Sequence, residues 1–218
     1  MAKVYPNSAA VAAEPATRAA AGDQQPEPPT VLTVWRKSLL FNCDGFTVYD
    51  ARGDLAFRVD CYATSRRRAE VALMDAAGAP LLTLHRKRLS LAERWLIYED
   101  GAGTTQPQPQ PRRPLLSVHR HVGLRASGGK TLAHVFAPSS AAQEAFVVEG
   151  SYGRRDCAVR DARGDVVAEV RRKEAVGDDV FRLVVSPRFG APLAMGLVIV
   201  LDEMFGGRSS WSWLRRAC

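Results

Sequence analysis

The chain has 218 residues, enough for one large domain or two small ones with a proper core. Its 46% hydrophobic and 24% charged residues sit at globular averages, which excludes a wholly disordered chain. Lys and Arg number 30 against 23 Asp and Glu, giving +7 with the excess concentrated after residue 109, and the pI near 9.6 favours anionic partners, either phospholipid head groups or nucleic acid. A soluble basic protein with no such partner would share that composition.

Residues 1–29 are Ala/Pro-rich and poor in aromatic and β-branched side chains, so a disordered tail is expected there. Pro6, Asn7, Glu14, Pro15 and Arg18 interrupt any continuous apolar run, which argues against a secretory signal. Glu14, Asp23 and Glu27 likewise oppose a plastid transit reading of the Ala-rich start. Ala2 excludes myristoylation, and Cys218 lacks the three following residues of a prenylation motif.

From Val31 the pattern becomes β. Val48-Tyr-Asp50-Ala-Arg-Gly53-Asp-Leu-Ala-Phe-Arg-Val59 is repeated as Val159-Arg-Asp161-Ala-Arg-Gly164-Asp-Val-Val-Ala-Glu-Val170. A looser copy runs from Leu73 through Asp75 and Gly78 to Leu84. In each, Asp can accept hydrogen bonds from the turn backbone and Gly can supply positive φ, which predicts a β-hairpin. Between the halves, residues 101–114 hold Gln-Pro repeats and read as an extended, solvated loop. Gly123 to Thr131 resembles a phosphate-binding loop but is one residue too long, and Leu132-Ala-His134-Val-Phe136 alternates like a strand instead of opening a helix. Apolar-alternating runs between Val31 and Ser186 add up to about twelve strands, more than an open sheet holds without curling or splitting, so a closed barrel or a sandwich is expected.

The β pattern stops after Ser186. Phe189 to Leu201 is thirteen residues without a charge, followed by Asp202-Glu203. Pro192 suits a first helical turn and Gly206-Gly207 suits an end. Such a helix is apolar on all sides and needs burial all round. At about 20 Å it is too short for a hydrocarbon layer of about 30 Å. A sheet closed around a helix follows, with residues 206–218 as a trailing tail.

These features resemble the plant LURP-one-related family, whose fold is similar to the tubby C-terminal domain and to phospholipid scramblases. Leu32-Thr-Val34-Trp-Arg36-Lys37 resembles the family's opening strand, and Asp50 to Gly53 the hairpin after it. Leu84-His-Arg86-Lys87-Arg-Leu89-Ser90-Leu-Ala-Glu-Arg94-Trp95 is similar to its R-K-x-L-S…R-W segment. Phe146 to Ser151, Cys157 to Val159, and Leu197 to Glu203 resemble its second half and its helix. The likeness spans about residues 31–205; the Gln-Pro insert and Gly196 depart from it, Gly196 weakening a helix by ~1 kcal/mol against Ala. The resemblance implies a mostly β fold, a twelve-stranded antiparallel barrel over residues 30–205 around a central hydrophobic C-terminal helix. For function it implies membrane association, plant defence signalling in some members, and no established catalytic residues.

Three basic clusters are the candidate site: Arg66-Arg67-Arg68, Arg86-Lys87-Arg88 and Arg171-Arg172-Lys173. The last two end the second strand of a hairpin, so Arg86 with Arg88, or Arg171 with Lys173, can project one way as a patch for acidic phospholipids or phosphoinositides. The competing explanation is protection of strand edges and solubility. Trp211 and Trp213 beside Arg215-Arg216 would suit either a membrane-contacting tail or a cap over the barrel mouth. His119 and His121 share a strand face, but His85, His134 and the four scattered cysteines (Cys43, Cys61, Cys157, Cys218) show no register with them, so neither a metal site nor a disulfide framework is expected. No hydrolase or protease signature occurs, and Ser90 and Asp202 read as a turn contact and a helix end. The expectation is a non-enzymatic, cofactor-free module without a transmembrane segment. It would act in the cytoplasm, at the inner face of the plasma membrane or in the nucleus. A soluble adaptor for regulatory protein partners is the alternative, and the lack of an aromatic stacking series opposes nucleic acid.

Overall fold

The computed structural model describes residues 27–39, 45–60, 70–87, 93–100, 113–122, 131–137, 144–173, 177 and 179–206. Twelve strands follow in chain order. They are β1 Thr30–Trp35, β2 Gly45–Tyr49, β3 Leu55–Asp60, β4 Glu70–Asp75, β5 Pro80–Lys87, β6 Arg94–Glu99, β7 Leu116–Arg120, β8 Thr131–Phe136, β9 Glu144–Ser151, β10 Asp156–Asp161, β11 Val166–Arg172 and β12 Val180–Val185. A short 3-10 helix, Tyr152–Arg154, turns β9 into β10, and α1, Ala191–Phe205, ends the described fold. Every strand is hydrogen-bonded to its sequence neighbours, and β1 closes on β12 in register from Thr30↔Val185 to Trp35↔Val180. All neighbours run antiparallel, so the sheet is a closed barrel without an edge.

The repeated turns form for the reason their residues suggest. Asp50 Oδ1 accepts the amides of Arg52 and Asp54 at 2.8 and 2.9 Å, and Gly53, at φ +89°, returns its amide to the Asp50 carbonyl. Asp161 does the same with Arg163, Asp165 and Gly164, and Asp75 with Ala79 and Gly78. In each hairpin the register shifts just before the turn, at Val48/Tyr49, Leu73/Met74 and Val159/Arg160, which adds local twist and helps the sheet curl.

Inward residues alternate along the strands. Leu32, Val34, Val48, Leu84, Trp95, Ile97, Val118, Val135, Val148, Phe181 and Leu183 are all buried, and α1 lies among them. From Ala194 to Asp202 every helix residue is buried, including the apolar run Leu197-Val198-Ile199-Val200-Leu201. The wall on all sides accounts for a helix with no polar face. Gly196 fits here by close approach: a Cβ would lie 3.2 Å from the end of Leu82 and 3.6 Å from that of Ile97. Pro192 stands in the first turn, and the helix stops where the Gly206 amide bonds the Asp202 carbonyl at 2.8 Å. Gly206 is at φ −67°, so it is needed for room and not for a left-handed turn; a Cβ there would sit 2.5 Å from the Asp202 carbonyl oxygen. At fifteen residues, α1 is about 22 Å long, and no described helix is long and apolar enough to cross a membrane.

Antiparallel closure sorts the connections. The aspartate turns at 50–54, 75–79 and 161–165, together with the start of α1, lie at one end, the turn rim. The ends of β1, β3, β5, β7, β9 and β11, and the C-terminal end of α1, lie at the other, the helix-exit rim.

Candidate anion-binding rim

The exit rim is built around a buried charge. Asp202 follows the thirteen uncharged residues and is 5% exposed. Its Oδ2 accepts from Arg36 Nε at 3.0 Å, at the end of β1, and its Oδ1 from the Tyr152 hydroxyl at 3.2 Å. Arg155, also 5% exposed, reaches within 3.8 Å of Oδ1, its guanidinium 4.4 Å from the Tyr152 ring centre and 4.5 Å from that of Phe181. Arg155 adopts φ +55°, unusual for a non-glycine, and this backbone turns the side chain onto the two rings. Burial pushes the Asp202 carboxyl above its ordinary value, although Arg36, Arg155 and Tyr152 all pull it down. The Tyr152 hydroxyl is driven well above its own by burial and then by the Asp202 charge, so it remains a donor. Neighbouring Cys157 is a buried thiol pushed up to about 12 by burial, which Arg155 partly opposes. This cluster pins the end of the helix to β1 and to the β9–β10 corner.

A second pairing closes the mouth. Arg86 and Arg120 hold Glu93 between them at 3.2 and 3.3 Å, and Arg120 stacks 4.8 Å from the Phe205 ring centre. Arg86 shares the inward parity of Leu84, so it faces this mouth while Lys87 faces out.

Outside, register makes a row. Lys87 lies opposite Arg94, Arg94 opposite His119, and His119 opposite His134. Arg94 Nε donates to Ser117 Oγ at 2.9 Å, and Ser117 Oγ is 2.9 Å from His119 Nε2. Burial first, then the charges of Arg94, His134 and Lys87, hold the His119 imidazole below its ordinary value. Beyond it, His121 Nδ1 is 2.9 Å from His134 Nε2, and His134 Nδ1 is 2.6 Å from Glu144. The expectation that His134 stands out of register with His119 and His121 therefore fails, because the β7–β8 pairing is set by barrel closure. Even so, among the described residues no three His, Cys, Asp or Glu side chains are arranged to hold a metal ion.

The remaining sequence candidates divide by position. Arg86, Lys87, Arg171, Arg172 and Lys173 all stand at the exit rim; Arg171 pairs with Glu169 on its own strand. Arg66, Arg67, Arg68, Arg88, Trp211 and Trp213 lie outside the described residues, as do residues 1–26 of the expected tail, 101–112 of the Gln-Pro loop and 207–218. The strand ends flanking 61–69 and 88–92 are nonetheless exit-rim ends. Sequence reasoning singled out Lys87 and His119 separately, named Arg36 and Arg94 only within segments that resemble the family, and missed Ser117 and Arg155. The only available signal was a polar residue at the end of an alternating strand.

The turn rim is different in kind. Arg52 pairs with Asp50 and Asp54, and Arg163 with Asp161 and Asp165. Beside the latter turn is an open cleft of about 830 Å³ lined by Phe146, Val167 and Phe189 together with Asp161, Arg163 and Arg188.

A closed twelve-stranded barrel that encloses a short apolar helix, with cations gathered where the helix ends, defines the class of protein. Residues 30–202 match the sequence model described as LURP-one-related, and the chain belongs to that family. It is similar to protein LURP-one-related 8 of Arabidopsis thaliana, 45% identical over 80% of this chain and 87% of that protein. Protein LURP-one-related 17 of the same plant is 42% identical over 81% of this chain and 83% of its own length. A crystal structure of an Arabidopsis thaliana protein shares the fold, with a TM-score of 0.59 at 24% identity over 81% of this chain and 91% of that one.

Proposed function

We propose that this protein is a non-enzymatic peripheral binding module for acidic phospholipid surfaces, phosphoinositide-bearing ones foremost, and that it docks through the exit rim. One observation carries the reading. The segments that join β3 to β4 and β7 to β8, residues 61–69 and 121–130, contain Arg66, Arg67, Arg68, Arg125 and Lys130 but no Asp or Glu, and the segment that joins β5 to β6, residues 88–93, adds Arg88 with Glu93, which Arg86 and Arg120 already hold. The same end of the barrel carries Lys87, Arg94 and Arg171 to Lys173, and although Asp44, Glu174, Asp178 and Asp179 lie in its connections after β1 and β11, cations outnumber acids among the connections there. Each Lys or Arg held near an anionic leaflet contributes about 1 kcal/mol within a Debye length of about 8–10 Å. Trp211 and Trp213 follow the helix in the chain and would add interfacial contact, after a barrel spanning residues 30–205. This reading places the protein at the cytoplasmic face of the plasma membrane or in the nucleus, as a tethered regulator of the kind implied for plant defence signalling.

Flotation with phosphatidylcholine vesicles, with and without phosphatidylinositol bisphosphate, tests it. Binding only to the anionic vesicles, reversed by raised salt, is expected. Equal and negligible binding to both ends the proposal. A second reading, an adaptor for protein partners, is favoured by the turn-rim cleft, whose apolar floor and charged margin suit a peptide. A partner retained at high salt and displaced by Phe189→Glu would select that reading.

A further inference from the structure

Within the reading above, and resting on it for the source of the ligand, the exit rim contains a more specific device. We infer that Lys87, Arg94, Ser117 and His119 form a binding site for a single tetrahedral oxyanion, of the phosphomonoester class.

Three adjacent strands present the groups at one level, Lys87 on β5, Arg94 on β6 and His119 on β7. Trp95 and Val118 point inward at zero exposure, so their neighbours Arg94 and His119 point out. Strands lie about 4.8 Å apart, which places the three side chains across about 10 Å, within reach of one oxyanion. Ser117 ties the set together, accepting from Arg94 Nε and bonding His119 Nε2, so two of the groups are held before any ligand arrives. Fixed donors cost less to order on binding than free side chains. Arg94 keeps its two terminal nitrogens without a carboxylate among the described residues, and Lys87 has no ion pair there. A planar guanidinium edge beside a mobile ammonium is chemistry suited to phosphate oxygens.

The nearby carboxylates are already engaged. Glu93 is held by Arg86 and Arg120 on the inner side, Glu70 lies 4.0 Å from His85, and Glu144 bonds His134. The adjoining connections, residues 88–93 and 121–130, contain no Asp or Glu besides Glu93. Positive charge is thus left uncompensated here among the described residues, and the His119 imidazole is lowered first by burial and then by the charges of Arg94, His134 and Lys87. Facing His119 are Lys87 from β5, Arg94 from β6, and His134 from β8 with Glu144 behind it from β9. An oxyanion reverses the balance, favouring the imidazolium, so binding takes up a proton and tightens as pH falls.

Titration of the full chain with sulfate and with inorganic phosphate, followed through the His119 ring resonances, tests the site. Sulfate keeps one charge state across this range, so any pH dependence of its binding belongs to the protein. The expected result is saturable binding, an upward shift of the His119 titration, and affinity several-fold greater at pH 5.5 than at pH 7.5. Lys87→Ala and Arg94→Gln, with melting temperatures unchanged, should each weaken binding about tenfold. Variants that bind as the wild type does, or an identical response to acetate at matched ionic strength, would overturn the site. Vesicle flotation of the same variants separates the two proposals. Vesicle binding without sulfate or phosphate binding leaves the membrane reading standing and removes the site. Sulfate and phosphate binding without vesicle binding keeps the site, assigns it to soluble phosphomonoesters and removes the membrane reading.

Discussion

The two ends of the barrel use the same kinds of residue to opposite effect. At the turn rim each carboxylate works locally: Asp50 and Asp161 accept two backbone amides apiece and face an arginine two residues on. Charge there is closed within five-residue turns. At the exit rim, the Arg171–Glu169 pair aside, the pairs reach between elements. Arg36 meets Asp202 across 166 residues of sequence, and Glu93 is shared by strands β5 and β7. What is left over at that end is positive and outward. The contrast teaches that the repeat folds one rim and frees the other: the tight turns use their acids locally, to bind backbone amides, whereas the looser exit-rim connections carry more cations than acids.

That comparison depends on a single rod joining the rims, so the largest effect should come from breaking it. Val198→Asp places an unpaired charge where exposure is 1%, and should cost about 5 kcal/mol, enough to remove cooperative thermal unfolding. Asp202→Ala acts on one end only. It removes the buried carboxylate that Arg36 and Arg155 share, and a loss of about 3–5 kcal/mol is expected by denaturant titration. A fully stable Val198→Asp protein would mean that the helix is not enclosed.

The sequence made some of this plain and concealed the rest for physical reasons. The hairpins could be read because Asp50, Gly53, Asp161 and Gly164 each have a position-specific job that few residues can do. The helix could be read because thirteen uncharged residues have nowhere else to go. The candidate site was less legible. Whether a basic residue at a strand end faces the mouth or solvent is a matter of parity, and the register shifts of the hairpins reset the pairing strand by strand. Arg86 and Lys87 are adjacent in sequence, yet one holds Glu93 at the mouth and the other joins the outer row. Arg94, Ser117 and His119 gather only because β6 and β7 pair as they do. Asp202 read as a helix end, and it is one, but its partners on β1 and the 3-10 corner leave no local trace.

The turn rim should respond more gently and with a distinct pH signature. Gly164→Ala meets no neighbour within 4 Å, so its cost is the positive φ alone, about 1 kcal/mol. The Asp50 carboxyl is held below its ordinary 3.8 chiefly by the Asp54 amide, against desolvation, with the Arg52 amide and guanidinium adding to the lowering. For Asp161 desolvation pulls upward and is outweighed by the Asp165 and Arg163 amides and the Arg163 charge, so it too is lowered. Depressed carboxyls contribute stability that is present above 3.8 and lost as pH falls through their folded values. Asp202, raised by burial, runs the other way, since its protonation in acid relieves the desolvation. Melting curves from pH 6 down to pH 2.5 should therefore flatten in an Asp50→Asn/Asp161→Asn double variant. A profile as steep as the wild type would show that the acid sensitivity comes from elsewhere.

The smallest effect on stability should be the most informative about function, because it separates charge from fold. Lys173→Glu at the exit rim and Arg188→Glu at the turn rim reverse one charge each at side chains with no ion pair among the described residues. Both should leave stability within about 0.5 kcal/mol, as is usual for surface substitutions. Their binding to anionic vesicles should diverge. Replacing a cation by an anion changes the interaction with the leaflet by about 2 kcal/mol if that rim touches it and by nothing if it faces away. Lys173→Glu is thus expected to weaken flotation by tenfold or more, with Arg188→Glu unchanged. Equal losses in both would mean that the protein responds to net charge alone, with no oriented face. A loss confined to Arg188→Glu would turn the barrel over and make the cleft end the docking surface.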